Sequence, residues 1–394
     1  MHNAKCRIWR QTMTRRLYFE NSFIKEFTAT VISCEEAEKG YIIVLDKTAF
    51  FPEGGGQKPD TGFIDAVRVN DVQEKGDTIY HYTDQPVNAG ECCVCKIDWD
   101  QRFRRMQNHS GEHIVSGIVH GKYGYNNVGF HMGAEDITID FDGYLDREQL
   151  MEVEAIANMA VAENTQITAF YPEPEELKNI DYRSKLDLTE NVRLVNIEGY
   201  DLCACCAPHV NTTAQVGLVR IFESIRHKEG IRVHMLCGLD AVDDYREKSR
   251  NAEAISKMLS APQNDTALAV ERLKAEKEAA FAEINRLKKA QENAEIKKLR
   301  ETEGNICVFT ESFEADQLRS IVNAGMALCG GICAAFSGND KDGWKYIMGS
   351  SSIDMGKEAR TINSVLRGRG GGRGSMIQGS MQAGEAEIKE YFRV

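Results

Sequence analysis

The stretch RFRRMQNHSGEHIVSGIVHGKY, residues 102–123, divides the sequence into a part that precedes it and a different part that follows it. Its apolar residues and histidines recur at three- and four-residue steps, which predicts an α-helix with these residues on one face: Phe103, Met106, His109, His113 and Ile114. Two histidines therefore lie side by side on this face. Short strand-like runs precede the helix and a mixed pattern follows it, so we predict an α+β fold.

Before the helix, residues 17–99 form short alternating or β-branched runs punctuated by Gly, Asn and Asp. This pattern is typical of a small β-barrel or meander. Within it, the stretch FFPEGGGQ, residues 50–57, places Gly54, Gly55 and Gly56 in one loop. Glycine allows positive φ and close approach to a ligand. We therefore predict a β-barrel-like N-terminal domain over residues 1–99 that carries a substrate loop.

After the helix, three further regions are expected. A helix near residues 147–164 and strand-like runs at 166–171 and 192–197 indicate an α/β core over residues 100–242. Residues 243–302 are rich in Ala, Glu, Lys and Arg, and predict a long helix or helical hairpin. A heptad seam there is interrupted by Lys277, Gln291 and Lys298, so we interpret it as a connector rather than an extended coiled coil. Residues 303–394 predict a separate α/β domain with a glycine-rich loop.

The overall charge limits how the chain can bind phosphates. The 394 residues are 42% hydrophobic and 27% charged, which is typical of folded chains of several domains, and the formal net charge is -12. Affinity for nucleic acid would then depend on local basic patches. Two sets are candidates for such contacts, with solvated surface charge as the alternative: Arg102, Arg104 and Arg105, and Arg360, Arg367, Arg369, Gly370, Gly371, Gly372 and Arg373.

The twelve cysteines indicate reduced thiols or metal ligands rather than a disulfide framework. Two clusters, residues 92–95 and 203–206, are too tightly spaced for a set of structural disulfides. No apolar run approaches the ~18 residues that span a bilayer, and the first 16 residues lack a continuous apolar segment. We therefore expect a cytoplasmic protein without membrane contact, with Met1 and Met13 as alternative starts.

Two short motifs could supply one metal site. His109 and His113 lie at i and i+4 on the predicted helix, and Cys205 and His209 are close together in CCAPH, residues 205–209. Nitrogen and sulfur ligands in a set of four match the tetrahedral preference of zinc. A competing structural site would use Cys92, Cys95, Cys203 and Cys205, and Cys203 or Cys206 could also replace Cys205.

The stretches FFPEGGGQ, NHSGEH and CACCAPHV, in this order, resemble the alanyl-tRNA editing proteins of the AlaX type. These are freestanding relatives of the editing domain of alanyl-tRNA synthetase. The stretch GRGGGRGSMIQGS, residues 368–380, is similar to the glycine-rich segment of the DHH-associated domain that ends long AlaX proteins. The likeness extends over nearly the whole chain.

The resemblance implies a hydrolase that removes serine, or glycine, from wrongly charged tRNA(Ala). It implies one zinc ion per chain, held by His109, His113, Cys205 and His209. Zinc can polarise an ester carbonyl or lower the pKa of water. Four protein ligands would close the coordination sphere, so either one ligand is weak or the ion mainly positions the aminoacyl end. The C-terminal domain would hold tRNA or form a homodimer.

Two further residues are candidates for catalysis or substrate positioning. Gln57 matches the glutamine of the family's glycine-rich motif, whereas Glu112 has no counterpart there and is proposed from its position between the histidines. A carboxylate at that place could act as general base, although such a residue is more often simply exposed. The second motif departs from the family's Cys-Gly-Gly-Thr-His, because it has Cys206, Ala207 and Pro208 between its two ligands. Pro208 lacks the hydroxyl and N–H of threonine, so any hydrogen bond that those groups make is lost.

Two other functions fit parts of the sequence. The segment HSGEH, residues 109–113, also matches the H-x-x-E-H motif of some zinc metallopeptidases, with Glu112 as base. That interpretation requires a downstream carboxylate ligand and leaves Cys205 and His209 without a role. An RNA-binding module with a structural zinc is the non-enzymatic alternative, and it predicts binding without turnover.

Overall fold

A computed structural model describes residues 13–184 and 191–394 of the chain. It divides into two units, Met1–Glu253 and Ala254–Val394. Met13 is described and largely exposed, whereas the alternative start Met1 lies outside the described residues. The finer division into four domains stays a prediction. No helix of the described ranges combines the length and apolarity needed to cross a bilayer.

The first unit begins with a closed six-stranded barrel, which confirms the barrel-like N-terminal prediction. Its strands follow the order β2-β3-β7-β6-β5-β8. Inward positions alternate with exposed ones along the strands, and on the last strand Cys93, Cys95 and Ile97 face the core. The elements are β1 (Arg15–Arg16), α1 (Leu17–Glu20), β2 (Glu26–Glu36), β3 (Tyr41–Leu45), β4 (Lys47–Thr48), β5 (Gly62–Ile64), β6 (Val67–Lys75), β7 (Thr78–Thr83) and β8 (Cys92–Ile97).

The rest of this unit surrounds one long helix with two antiparallel sheets, in the orders β14-β15-β10-β9 and β11-β12-β13. The elements are α2 (Trp99–Tyr123), β9 (Asn127–Met132), β10 (Ile137–Phe141), α3 (Arg147–Glu163), β11 (Ile167–Phe170), α4 (Pro174–Leu177), β12 (Leu194–Ile197), β13 (Asp201–Ala204), β14 (Val219–His227), β15 (Gly230–Cys237) and α5 (Gly238–Leu259). The helices and strands predicted around residues 102–123, 147–164, 166–171 and 192–197 are all present.

Helix α2 is unusual because its buried residues are largely polar. Its middle section from Met106 to Val119 is buried throughout. Buried polar groups need hydrogen-bond partners, and Asn108 finds its partners at the end of β15 and the start of α5. Asn108 accepts from the amide of Cys237 at 2.8 Å and donates to Asp240 at 2.6 Å. The polar face of α2 is thereby fixed, and with it the direction of both histidines.

The second unit is a mixed α/β layer with strand order β16-β17-β18-β20-β19, as predicted for the C-terminal region. Separate apolar clusters pack against the sheet, and helix α6, without Gly or Pro, is mostly exposed. The elements are α6 (Thr266–Lys298), β16 (Ile306–Thr310), α7 (Ala315–Met326), β17 (Cys333–Asn339), β18 (Gly343–Gly349), α8 (Met355–Val365), β19 (Gly368–Arg373), β20 (Met376–Met381) and α9 (Glu385–Phe392).

The glycine-rich segment near residue 370 is a strand. The prediction of a loop at this place was therefore wrong. Strand β19 pairs with β20 along its whole length, with Gly370 opposite Gly379. Glycine is depleted in strands, which is why the composition predicted a loop. A Cβ on Gly370 would lie 2.6 Å from the hydroxyl oxygen of Tyr346, so the glycines leave room for that side chain.

Candidate metal centre and cavity

Three histidines and one cysteine converge in the first unit. His109, His113, Cys205 and His209 each offer one ligand atom, and these atoms lie within 4.8 Å of one another. Helix α2 supplies the first two, and the turn after β13 supplies the others. The Sγ of Cys205 lies 3.6 Å from Nε2 of His109 and 3.4 Å from Nε2 of His209. The four residues singled out from the sequence therefore form one group that could hold a metal ion.

Each of the three imidazoles is held through its Nδ1 atom by a different kind of group. His109 bonds to the side-chain carbonyl of Gln57 at 3.0 Å, and His209 bonds to the hydroxyl of Ser110 at 3.0 Å. His113 bonds to the carboxylate of Asp201 at 2.9 Å. These bonds fix the orientation of the rings and leave Nε2 as the ligand atom, the usual arrangement behind metal-binding histidines.

Asp201 and Arg183 are residues that the sequence analysis missed. Arg183 donates to the two carboxylate oxygens of Asp201 at 2.7 and 2.9 Å, and both side chains are largely buried. Burial opposes ionisation of Asp201, but its bonds to His113 and Arg183 lower its pKa below the usual value. The carboxylate therefore stays charged behind His113 and makes that imidazole a stronger donor.

The surroundings of the cluster shift the pKa values of the Cys205 thiol and the His209 imidazole. Burial disfavours the thiolate of Cys205, but the neighbouring His109 brings its pKa well below the ordinary value. The amide of Ala207 also donates to this sulfur at 3.4 Å. Burial lowers the pKa of His209 to about 3, so this imidazole is neutral. A thiolate with a neutral imidazole is the protonation state that metal ligands need.

The first glycine-rich loop lies directly beside this cluster. Gly55 has φ +60°, and a Cβ there would lie 3.9 Å from a ring carbon of His109 and 3.6 Å from the sulfur of Cys206. Gly56, at φ +79°, has no room for a side chain because of Phe130. The next residue, Gln57, is buried, and its Nε2 has no hydrogen-bond partner among the described residues. The loop thus places the buried side-chain amide of Gln57 behind His109, a ligand residue of the metal centre.

Glu112 is buried rather than exposed. Its Oε1 accepts from the hydroxyl of Ser116 at 2.6 Å and from the amide of Asn127. Its Oε2 lies 3.9 Å from Nε2 of His113, the ring atom that faces the cluster. The carboxylate is therefore held in a fixed position next to the metal centre.

A large cavity opens above the cluster, with a volume of about 1170 Å³. His109, Glu112, His113 and Cys205 line one part of it. Other parts are lined by aromatic and basic side chains, including Phe19, Tyr171 and Arg193. This size exceeds that of a typical small-molecule pocket and would admit an amino acid together with a nucleoside.

Of the alternative cysteine ligands, Cys203 is the one that the structure brings close to a histidine of the cluster. Cys95 is buried in the barrel, 3.8 Å from Cys93. Within the described part of the chain, neither Cys92 nor Cys95 belongs to a group of potential metal ligands. Cys203 does form a second group with His113 and Asp201, but Asp201 is already bonded to His113 and Arg183. Cys206 is exposed at the cavity and, within the described part of the chain, belongs to no group of potential metal ligands.

The three arginines before the His pair, Arg102, Arg104 and Arg105, contact other groups of the protein and do not form an open basic surface. Arg102 is fully buried, ion-paired with Asp60, and donates to the carbonyl of Ala49 at 2.6 Å. Its interpretation as a tRNA contact was wrong, because spacing alone does not show that the side chain points inward. Arg104 pairs with Asp240 and Asp243 at 2.7 and 2.9 Å.

Arg105 is also largely buried, and it donates to the carbonyl of Pro59 at 2.5 Å. The C-terminal basic set is more exposed. Arg367 pairs with Glu387, whereas Arg360 and Arg369 line a cavity of about 450 Å³ together with Gly370, Gly371 and Gly372. Arg373 follows on the same strand and is exposed. Of the two patches, the C-terminal one is accessible to a ligand.

Two family models match parts of the chain. Residues 11–101 match tRNA synthetases class II (A). Residues 192–252 match the threonyl and alanyl tRNA synthetase second additional domain. The second range contains Cys205 and His209, while His109 and His113 lie between the two ranges.

Curated relatives cover longer stretches. The alanine–tRNA ligase of Ignicoccus hospitalis is 29% identical over 375 residues, which are 92% of this chain and 40% of the ligase. The alanyl-tRNA editing protein Aarsd1 of Mus musculus is 28% identical over 273 residues, covering 64% of this chain and 66% of that protein. The chain thus spans about two fifths of the length of the ligases it matches.

One solved structure is also similar. The C-Ala domain of Aquifex aeolicus alanyl-tRNA synthetase aligns with 24% of this chain and 94% of that domain, at 21% identity and a TM-score of 0.21.

Proposed function

We propose that this chain, a relative of the alanyl-tRNA synthetases and of the alanyl-tRNA editing proteins, hydrolyses the ester that joins a wrong amino acid to tRNA(Ala). Serine is the expected main cargo and glycine the second. The observation that carries the proposal is the convergence of His109, His113, Cys205 and His209 beside a cavity large enough for an aminoacyl nucleoside.

Zinc is the ion that this donor set fits. Three imidazole nitrogens and one thiolate match its preferred ligands, and harder cations such as Mg²⁺ would require oxygen donors. With one of the four ligands weakly bound, zinc held there would act as a Lewis acid toward the ester carbonyl; with all four bound, it would position the aminoacyl end. The fixed Nδ1 bonds of the histidines support one ion per chain, because the ligand atoms are oriented before any ion arrives.

The neighbouring side chains suit the handling of an ester. Gln57 would position the substrate indirectly, because its side-chain carbonyl holds His109 through Nδ1 and so directs Nε2 of that ring toward the cluster. Glu112, held by Ser116 and Asn127, is placed to remove a proton from the attacking water. Both are proposed roles for residues that surround the metal centre without belonging to it.

Discrimination against alanine follows from general physical chemistry. A site that hydrogen-bonds the serine hydroxyl leaves its own polar groups unpaired when alanine enters. This disfavours hydrolysis of the correctly charged alanyl-tRNA. This argument applies to serine and does not extend to glycine, which has no hydroxyl.

The second unit is proposed to hold tRNA or to form a homodimer. The groove beside β19 combines exposed arginines with closely approaching backbone, which suits phosphates. Helix α6 separately exposes a set of large apolar residues, each about half accessible: Val270, Leu273, Phe281, Ile284 and Leu287. Sedimentation of the full chain over a range of concentrations distinguishes a monomer from a dimer.

The test is release of serine from serine-charged tRNA(Ala) by the purified protein. Correctly charged tRNA(Ala) and a zinc-stripped sample serve as controls. We expect zinc-dependent release from the mischarged tRNA and little from the correct one. Binding of tRNA without release, in a sample that contains zinc, would contradict the proposal and favour a binding module.

A further inference from the structure

Two aromatic side chains form a corner in the wall of the cavity. The rings of Phe19 and Tyr171 have centroids 6.4 Å apart and meet at 74°. Phe19 is fixed by Tyr18, whose ring lies edge-on at 4.6 Å. Tyr171, which directly follows β11, is 53% exposed. The corner therefore has one fixed ring and one open ring face.

Arg193 connects this corner to the metal centre. Its guanidinium lies over the Phe19 ring at 5.3 Å. The same group donates to the carbonyls of Cys205 and Ala207 at 2.8 and 3.1 Å. The backbone carbonyl of Arg193 also accepts from the amide of Cys205 at 3.0 Å. The aromatic corner is thus tied to the loop that carries two of the four ligand residues.

We propose that Phe19 and Tyr171 form the subsite for the nucleoside that carries the ester, with its base stacked on Tyr171 and its edge toward Phe19. This inference rests on the proposed function and adds where the terminal adenosine binds. Aromatic rings with an open face are a general means by which proteins hold an unpaired base.

Three observations support a base rather than an amino acid side chain in this corner. The rings belong to the same cavity as the metal centre, but Tyr171 is largely exposed, unlike the buried residues around the cluster. The positive charge of Arg193 lies next to the corner and favours a phosphate-bearing ligand. One side chain, Arg193, contacts both the Phe19 ring and the carbonyl of Cys205, so the corner and the cluster are close enough for one nucleoside ester to reach both.

The test compares two serine esters that differ only in the alcohol, 3′-O-seryl adenosine and serine methyl ester. We expect Tyr171→Ala to raise KM for seryl adenosine by about tenfold, in the range that loss of one stacking contact produces, with kcat little changed. Hydrolysis of the methyl ester should stay at the wild-type rate. Tyr171→Phe keeps the ring and should restore the wild-type KM.

Tyr144→Ala is the matched control, because Tyr144 is also 53% exposed but does not line the cavity. It should leave both KM values unchanged. An unchanged KM for seryl adenosine in Tyr171→Ala, or an equal loss for both esters, would overturn the nucleoside subsite. If the wild type releases serine from tRNA yet treats the two esters alike, only this inference fails. If it releases serine from none of them, the proposed function fails.

Discussion

The three histidines of the metal centre are held by an amide, a carboxylate and a hydroxyl, from Gln57, Asp201 and Ser110. A carboxylate partner increases the basicity of an imidazole more than a neutral partner does. His113 is therefore expected to be the strongest of the nitrogen ligands. Its pKa is raised above the ordinary value even though burial opposes this, because Asp201 and Cys205 stabilise the charged ring.

Replacement of Asp201 by asparagine tests whether the carboxylate bonded to Nδ1 of His113 supports metal binding. Asp201→Asn keeps the size of the side chain but removes the charge behind His113, so zinc affinity should fall by about 10- to 100-fold. Competition with a chelator of known affinity measures the change. Asp243→Asn, which alters an exposed carboxylate of α5, is the control. Wild-type affinity in Asp201→Asn would show that the carboxylate does not support the metal.

At the residue scale, local spacing was enough to single out the candidate ligands. His109 and His113 share a helix face, and Cys205 and His209 lie within one short motif. Asp201 and Arg183 could not be found in this way, because their contacts depend on how β13 and the chain before it pack against α2. Arg102 shows the same limit, since its spacing resembles that of a surface patch while its side chain is buried with Asp60.

At the scale of elements, α2 depends on a glycine, Gly117, that lets another segment of the chain come close. A Cβ on Gly117 would lie 2.2 Å from the carbonyl oxygen of Tyr200 and 2.8 Å from the Cβ of Asp201. Gly121, four residues later on the same helix, has no atom within 4 Å of this position. Close packing at Gly117 thus places the turn that presents Asp201 to His113.

This contrast predicts opposite effects of the same substitution. Gly117→Ala should destabilise the protein by about 1–3 kcal/mol through overpacking and weaken zinc binding by displacing Asp201. Gly121→Ala should be neutral or stabilise the helix by up to about 1 kcal/mol, since alanine is the better helix former. Urea unfolding and zinc retention measure both. Equal behaviour of the two variants would contradict the packing described for α2.

The barrel should be sensitive to acid through His81, which is fully buried and bonds to Thr48 and the carbonyl of Ile43. Burial lowers its pKa to about 4, whereas in the unfolded chain the value is about 6.5. The unfolded state thus binds the proton first. The stabilisation by neutral His81 is complete above pH 6.5 and is lost as the pH falls toward 4, by roughly 3 kcal/mol.

Urea midpoints between pH 7.5 and 4 measure this effect. In His81→Gln the corresponding part of the pH dependence should disappear, while His131→Gln, at an exposed position, should behave like the wild type. An unchanged pH dependence in His81→Gln would show that His81 does not control it.

The elements themselves were largely predictable from periodicity. Helices α2 and α3 and the barrel strands follow from apolar spacing and β-branched runs, and helix α6 follows from its composition. Strand β19 was not predicted, because its glycines give no apolar alternation and only its pairing with β20 makes it a strand. The order of strands in each sheet also depends on contacts between distant segments, which local patterns do not contain.

At the scale of the whole molecule, two units have separate proposed tasks, ester hydrolysis and tRNA binding. The chain has a net charge of -12, so the arginines of the second unit must act locally. Arg369→Ala removes one positive charge from the groove beside β19 and should raise KM for charged tRNA by several-fold. Hydrolysis of seryl adenosine should not change. If both substrates are affected equally, the groove does not bind tRNA specifically.

The central claim is that the four-residue centre both holds zinc and carries out deacylation. The most direct test measures zinc content and serine release from mischarged tRNA(Ala) on the same samples of wild type, His109→Ala and Cys205→Ala. We predict one zinc per chain and serine release in the wild type, and the loss of both in each variant. Full activity in either variant would contradict the account.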